Sequence, residues 1–316
     1  MINLRYHIVS LVAVFLALAV GVLMGSTVLD RGTVALLESS SGQLKGNLDR
    51  YRAENEQLRG ELALWRQYGA AILPSEVDGR LRGRSVILVD TDQVDDPTRE
   101  AVRTVLREAG AAYDGRITFA ADRIALDESG DRNSLAGLLQ LNDDDPAVLQ
   151  RALVDKVAAR LLTPATVPAN EKDYPNDALT ALRQGNFIAD LDLSDPFKQS
   201  VTAFPRPGTM VVVIGPTKVP PVPPADRFLI PLAGRLAAGS GAPVAAVEAA
   251  GPTSWLGGLR DNDLVSGRVS SVDNVDLVPG QIALAQALQQ GINGQPPGHY
   301  GTKDGATKLL PEEPAK

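Results

Sequence analysis

The spacing of hydrophobic positions along this 316-residue chain changes twice, and each regime predicts a different kind of element. From Ile8 to Leu29 there are 22 consecutive uncharged residues, mostly Val, Leu and Ala. As a helix this run is about 33 Å long, enough to cross a hydrocarbon layer of roughly 30 Å. A secretory signal is the competing reading, but the run exceeds the ~7–15 residues of a typical signal core. No clean small-x-small cleavage site follows either, Gly25-x-Thr27 being the nearest candidate. The pattern therefore predicts a retained transmembrane helix over residues 8–29 and a single-pass protein of the cell membrane. Residues 1–7 are expected on the cytoplasmic side and the C-terminal bulk outside it, because a short tail precedes a large region. The charges, Arg5 against Asp30 and Arg31, say little about orientation. Within the span Ala13, Ala17, Gly21 and Gly25 recur every four residues, a ladder that lets two helices approach closely.

Beyond the span the apolar positions step by three and four: Val34, Leu37, Ser41, Leu44, Leu48, Tyr51, Asn55, Leu58, Leu62 and Trp65. In heptad terms Leu48, Asn55 and Leu62 are a positions, and Leu44, Tyr51, Leu58 and Trp65 are d positions. A single Asn at a among leucines favours a parallel dimer, since two amides can pair across the axis. Glu54 and Glu61 fall at g and face Arg59 and Arg66 at e of a parallel partner. A lone amphipathic helix would explain the stripe but not the Asn and the paired charges together. A homodimeric coil is thus predicted over residues 30–72, ending around Gly69 and Pro74. The small-residue ladder rotates about 40° per four-residue step, so either the helix bends near Gly32 or the ladder is not the dimer seam.

The third regime alternates buried-type strands with helices. "SVILVD" (Ser85–Asp90) and "MVVVIGP" (Met210–Pro216) are near-continuous apolar runs of the kind buried on both faces. Further strands are expected at Ile117–Ala120 and Pro243–Val247. Helices are expected from Asp96 (as N-cap) to Ala109, over Ser134–Leu141, over Pro146–Leu162 behind an Asp145 cap, and over Asp177–Gln184, Asp226–Ala238 and Pro279–Gln290. This succession predicts a Rossmann- or flavodoxin-like α/β domain over residues 80–302 with a largely parallel sheet. Val219–Pro224 and Gly251–Asp263 read as long loops, and residues 303–316 as a flexible tail that frays from Pro311.

Composition narrows the chemistry. Apolar residues make up 44% of the chain, enough for a real core, yet aromatics are only 4%, so that core is aliphatic. The net charge of −7, with no basic block, argues against nucleic acid as a partner. There is no cysteine, which removes disulfides and thiolate sites, and only two histidines, His7 and His299, which excludes a His-rich metal site or a His-based triad within one chain. No glycine-rich phosphate loop follows any strand. Asp143-Asp144-Asp145 reads as a helix cap before Pro146 rather than a cation site. His299 and Tyr300 stand in "GHYGT" between Gly298 and Gly301, where the backbone is either held close to something or turns tightly; both are candidate ligand or partner contacts.

"VILVDTDQV" resembles the first motif of haloacid-dehalogenase phosphotransferases. The resemblance implies Asp90 as nucleophile, Asp92 as acid/base and a Mg²⁺ between carboxylate and phosphate. The downstream Ser/Thr, Lys and acidic pair of that chemistry cannot be placed on strand ends, and "RDND" at Arg260–Asp263 follows a loop rather than a strand. Asp90 and Asp92 then read as turn or cap residues, or as contacts for a ligand or partner, and no enzyme activity is expected.

The opening "INLRYHIVSLVAVFLALAVGVLMGS", the adjoining heptads and the closing "GINGQPPGHYGTKDGA" resemble the actinobacterial family typified by mycobacterial copper transport protein B. The likeness is specific over about forty residues at the two ends and architectural between them. It implies a role in copper homeostasis by efflux across the cell envelope. Relatives are implied to be membrane-anchored scaffolds that recruit partners at the division site for cell separation and peptidoglycan remodelling. No cofactor is predicted, copper being the one candidate. Copper(I) prefers Cys, Met and His, and this chain has three Met and two His. His299 is the candidate metal residue, with weak binding of one ion per dimer expected where two copies bring it together.

Overall fold

The computed structural model describes residues 4–163, 177–198, 201–217, 225–252 and 254–312. The chain divides into two units, Met1–Trp65 and Arg66–Lys316. Helix α1 (Leu4–Val77) carries the apolar run, the heptads and the first turns of the second unit without interruption. The coil was expected to stop at Gly69 and Pro74; instead the helix continues through Pro74. Its last turns belong to the second unit, where Leu73 and Val77 are buried in the core. Burying two such side chains stabilises by about 3–6 kcal/mol, which offsets the ~3 kcal/mol that a proline costs inside a helix. The chain then turns through Gly79 and Gly83, both at positive φ.

The second unit is built on a seven-stranded, mostly parallel sheet in the order β3-β2-β1-β4-β5-β6-β7. Its strands are β1 (Ser85–Thr91), β2 (Ala112–Phe119), β3 (Ile188–Leu193), β4 (Met210–Ile214), β5 (Val244–Val247), β6 (Ser270–Val272) and β7 (His299–Tyr300). β3 pairs antiparallel with β2 and every other pairing is parallel. One face is covered by the end of α1, by α2 (Asp96–Glu108) and by a helix near the C-terminus, Val278–Ile292. The other carries α3 (Ala121–Ala125), α4 (Ser129–Leu139), α5 (Pro146–Leu162) and α6 (Ala178–Gln184), then, past a short turn α7 (Asp195–Lys198), α8 (Ile230–Gly239), α9 (Trp255–Arg260) and α10 (Asp263–Ser266). The Val278–Ile292 helix is α11.

Both predicted apolar runs are buried strands, and α5 sits where expected, Asp145 accepting from the Ala147 and Val148 amides. Several expectations are corrected. The α2 cap is Asp95, which accepts from Thr98 N, one residue before the expected Asp96. The strand expected at Ile117 begins at Ala112. The stretch 251–263, read as loop, contains α9, because Trp255, Leu256 and Leu259 bury their side chains despite Gly257 and Gly258. The Asp226–Ala238 helix opens as a π-turn, Ala225–Leu229, before α8. Strands β3, β6 and β7 were not predicted. The segment from 303, read as a flexible tail, is tied down: Gly301 N donates to Lys308 O at 2.9 Å, Leu310 packs on the core, and Gln290 Nε2 reaches Glu312 O at 2.9 Å. The Val219–Pro224 loop and the last four residues lie outside the described ones.

Candidate functional site

In an open parallel sheet, ligands are bound beyond the carboxyl ends of the strands, where the strand order reverses. Here that place lies between β1 and β4, with Asp90 and Asp92 on its rim. The carboxylate of Asp90 is fully buried, and its Oδ2 receives Arg99 Nε at 2.5 Å while Arg99 Nη2 donates to Thr91 O at 2.8 Å. Burial pushes the Asp90 carboxyl up, and the Arg99 charge and the Thr118 hydroxyl pull it back. Asp92 Oδ1 accepts from Ala121 N at 3.1 Å and so caps the start of α3. The flanking loops are joined: Thr217 N donates to Gln93 O at 3.1 Å, and Asp95 N donates to Thr217 Oγ1 at 2.8 Å. Asp92 thus caps α3, and Asp90 is held within β1 by its ion pair with Arg99.

The same closure continues along the sheet. At the end of β4, Gly215 lies against Trp255, and a Cβ there would stand 1.5 Å from the indole nitrogen. The indole donates to Val247 O at 3.2 Å. After β5, Glu248 Oε2 accepts from Trp255 N at 3.0 Å, and Lys303 Nζ stands 3.0 Å from its Oε1. After β6, the buried Asp273 pairs with the buried Arg260 at 3.1 Å. Arg260 also donates through Nε to Ser271 Oγ at 2.9 Å, through Nη1 to Asp304 O at 2.8 Å, and through Nη2 to Tyr300 O at 3.1 Å. Asp90, Glu248 and Asp273, each at or just past the end of a parallel strand, are thus matched by Arg99, Lys303 and Arg260. Sequence reasoning found only Asp90. The signal for the others was the same: an acid directly after an apolar or small-residue strand.

His299 and Tyr300 form β7 beside this cluster. Ser271 Oγ accepts from Arg260 Nε at 2.9 Å and lies within hydrogen-bond distance, 2.9 Å, of His299 Nδ1. Burial and the Arg260 charge both lower the pKa of the imidazole, which favours its neutral form. Tyr300 is buried and donates to Gln290 Oε1 at 2.7 Å. The flanking glycines are there for the domain itself. A Cβ on Gly298 would meet the Tyr300 hydroxyl at 2.2 Å, and one on Gly301, at φ +126°, would meet the Asp273 carboxylate at 2.0 Å. Among the described residues no three His, Cys, Asp or Glu side chains are grouped to hold a metal ion.

The heptad positions are the reverse case. Leu44, Leu48, Tyr51, Leu58, Leu62 and Trp65 are all exposed, Leu44 at 71% and Leu58 at 62%; Asn55 lies among them and is exposed too. Side chains of Val34 and Leu37 lie outside the described ones. Arg5–Gly25 is long and apolar enough to cross a membrane and buries nothing against the rest of the chain.

A family described as "Copper transport outer membrane protein, MctB" matches residues 1–311. The chain belongs to this family. The proteins named "Copper transporter MctB" from Mycobacterium tuberculosis and Mycobacterium bovis are 29% identical to it over 320 residues, which cover 98% of this chain and 99% of theirs. The Mycobacterium leprae protein of the same name is 27% identical over 330 residues. The match spans the N-terminal apolar helix, the heptads and the sheet of this chain alike. In this member Met210, one of the three methionines, is buried in β4, and Met24 lies in the apolar helix. Of the chain's two histidines, His299 is the one in the sheet unit, and it stands in β7.

Proposed function

We propose that this protein serves copper homeostasis in the cell envelope, by efflux, as a single-pass membrane protein whose α/β domain is a binding module on the extracytoplasmic side. The observation that carries this reading is the single 21-residue apolar helix, Arg5–Gly25, in a chain matched along its length by copper-transport proteins. One helix per chain encloses no pore, and the sheet is open, ending on β3 and β7. Copper would therefore cross with the help of partners rather than through this fold alone. The domain reads as flavodoxin-like: β2-β1-β4-β5-β6-β7 is a parallel series that reverses direction beside β1, with β3 added at the edge. Its strand ends are filled by internal ion pairs, which supports binding at its surface and no phosphotransferase chemistry.

The exposed heptad stripe and the poor copper ligand set favour a second reading, a scaffold that recruits envelope partners for cell separation. One deletion strain distinguishes the two. Sensitivity to added copper with normal separation supports the first, and chained, unseparated cells with normal copper tolerance support the second. Topology is tested by protease added to spheroplasts: digestion of the domain, with Arg5 retained in the mature protein, is the expected result, and a mature chain starting near Val28 would remove the anchor.

A further inference from the structure

We propose that two copies of this chain pair in parallel along Leu44–Trp65, and that the seam ends where the chain's own domain takes over the helix face at Gly69. The pairing is independent of what the domain binds. Its first support is the bare stripe. Leu44, Leu48, Leu58 and Leu62 are exposed on a helix whose continuation buries Leu73 and Val77. Continuing the heptads, Gly69 takes the next a position, but a Cβ there would already stand 2.8 Å from Val278 Cγ2 of the same chain. The last seam residue is therefore Trp65.

Charge chooses the occupant and its direction. The e positions along the stripe are Lys45, Arg52, Arg59 and Arg66, all cationic, and the g positions are Asn47, Glu54 and Glu61. In a parallel pair g faces e of the partner, so Glu54 meets Arg59 and Glu61 meets Arg66. An antiparallel pair sets e against e and g against g, which places Arg and Lys rows together and glutamates together. Asn55 at a, among leucines, selects two strands rather than three or four. Two copies held in one bilayer through Arg5–Gly25 also enter the coil in the same direction. A second copy of this chain is thus complementary to the stripe in register, sign and polarity.

The chain has no cysteine, so an introduced one is its only thiol. Full-length Leu48→Cys and Leu58→Cys proteins, oxidised mildly in native membranes, should shift from 33.4 kDa to a species of twice that mass. Ala53→Cys, at the outward f position, should shift several-fold less. With Leu58→Cys as reporter, the pair Glu54→Arg/Glu61→Arg should lose most of the crosslink, as should Arg59→Glu/Arg66→Glu. Co-expression of the two should restore it as a heterodimer. All four charges are exposed, so loss of crosslinking does not come from an unfolded domain. Equal crosslinking at Ala53 and Leu58, full crosslinking of either charge variant alone, or capture of a protein of another mass at Leu58 would each overturn the proposal.

Discussion

Leu58 and Leu73 stand on one uninterrupted helix, yet the first is 62% exposed and the second 7%. Before Trp65 the apolar residues keep a three-four spacing, which holds a straight seam toward another helix. After it the buried positions are Gly69, Leu73 and Val77, spaced by four, a line that drifts around the helix and suits packing on a globular core. The same residue type is thus exposed in one stretch and buried in the other, and the two periods suit different packing, another helix or a globular core. The polar groups differ in the same way. In the domain Asp90, Glu248 and Asp273 are each paired with a cation of the same chain, whereas Glu54 and Glu61 stand exposed on the helix.

The sharpest break of that contrast is Asp273→Ala. It leaves Arg260 buried without its carboxylate, and stability should fall by about 3–5 kcal/mol, seen as a large drop in the denaturation midpoint of the domain. Leu73→Ala should cost about 2–5 kcal/mol, while Leu58→Ala should move the same transition by less than about 0.5 kcal/mol. Equal effects of the two would erase the distinction between seam and core. Gly215→Ala forces Trp255 away from β4 and should cost about 1–3 kcal/mol, with a change in tryptophan fluorescence. The smallest effect concerns pH. The folded state lowers the pKa of His299 below its ordinary 6.5, so the unfolded chain takes up a proton first as the solution is acidified. Stability is therefore full above pH 6.5 and declines as pH falls toward the folded value. His299→Gln should flatten that part of the stability profile, and an unchanged slope would mean another group is responsible.

How much of this was legible follows from period and distance along the chain. β1 and β4 are apolar throughout, buried on both faces, and declare themselves. β3, "IADLDL", is an edge strand with one side in water, and its alternation is too short to separate from loop. β6 and β7 have three and two residues, fewer than any period needs. The long helix was legible because the heptads repeat, but its end was not: Pro74 suggested a stop, and the burial of Leu73 and Val77 carried the helix past it. At the strand ends Asp90 drew notice because it resembled a catalytic motif. That it is held by Arg99, and Asp273 by Arg260, depends on contacts nine and thirteen residues away that no local spacing announces. The glycines flanking His299 and Tyr300 suggested either a close approach or a tight turn. The approach is real, and it is made by Tyr300 and Asp273 of the same domain.

Copper tolerance reads out whether the proposed role in copper homeostasis rests on the proposed helical seam or on the imidazole of the domain. Growth is measured across a copper series in cells whose own copy is replaced by wild type, by His299→Gln or by Glu54→Arg/Glu61→Arg, expressed to equal levels in the membrane. The expected result is full tolerance with wild type and with His299→Gln, and sensitivity with the charge variant. Tolerance with the charge variant together with sensitivity in His299→Gln would contradict it.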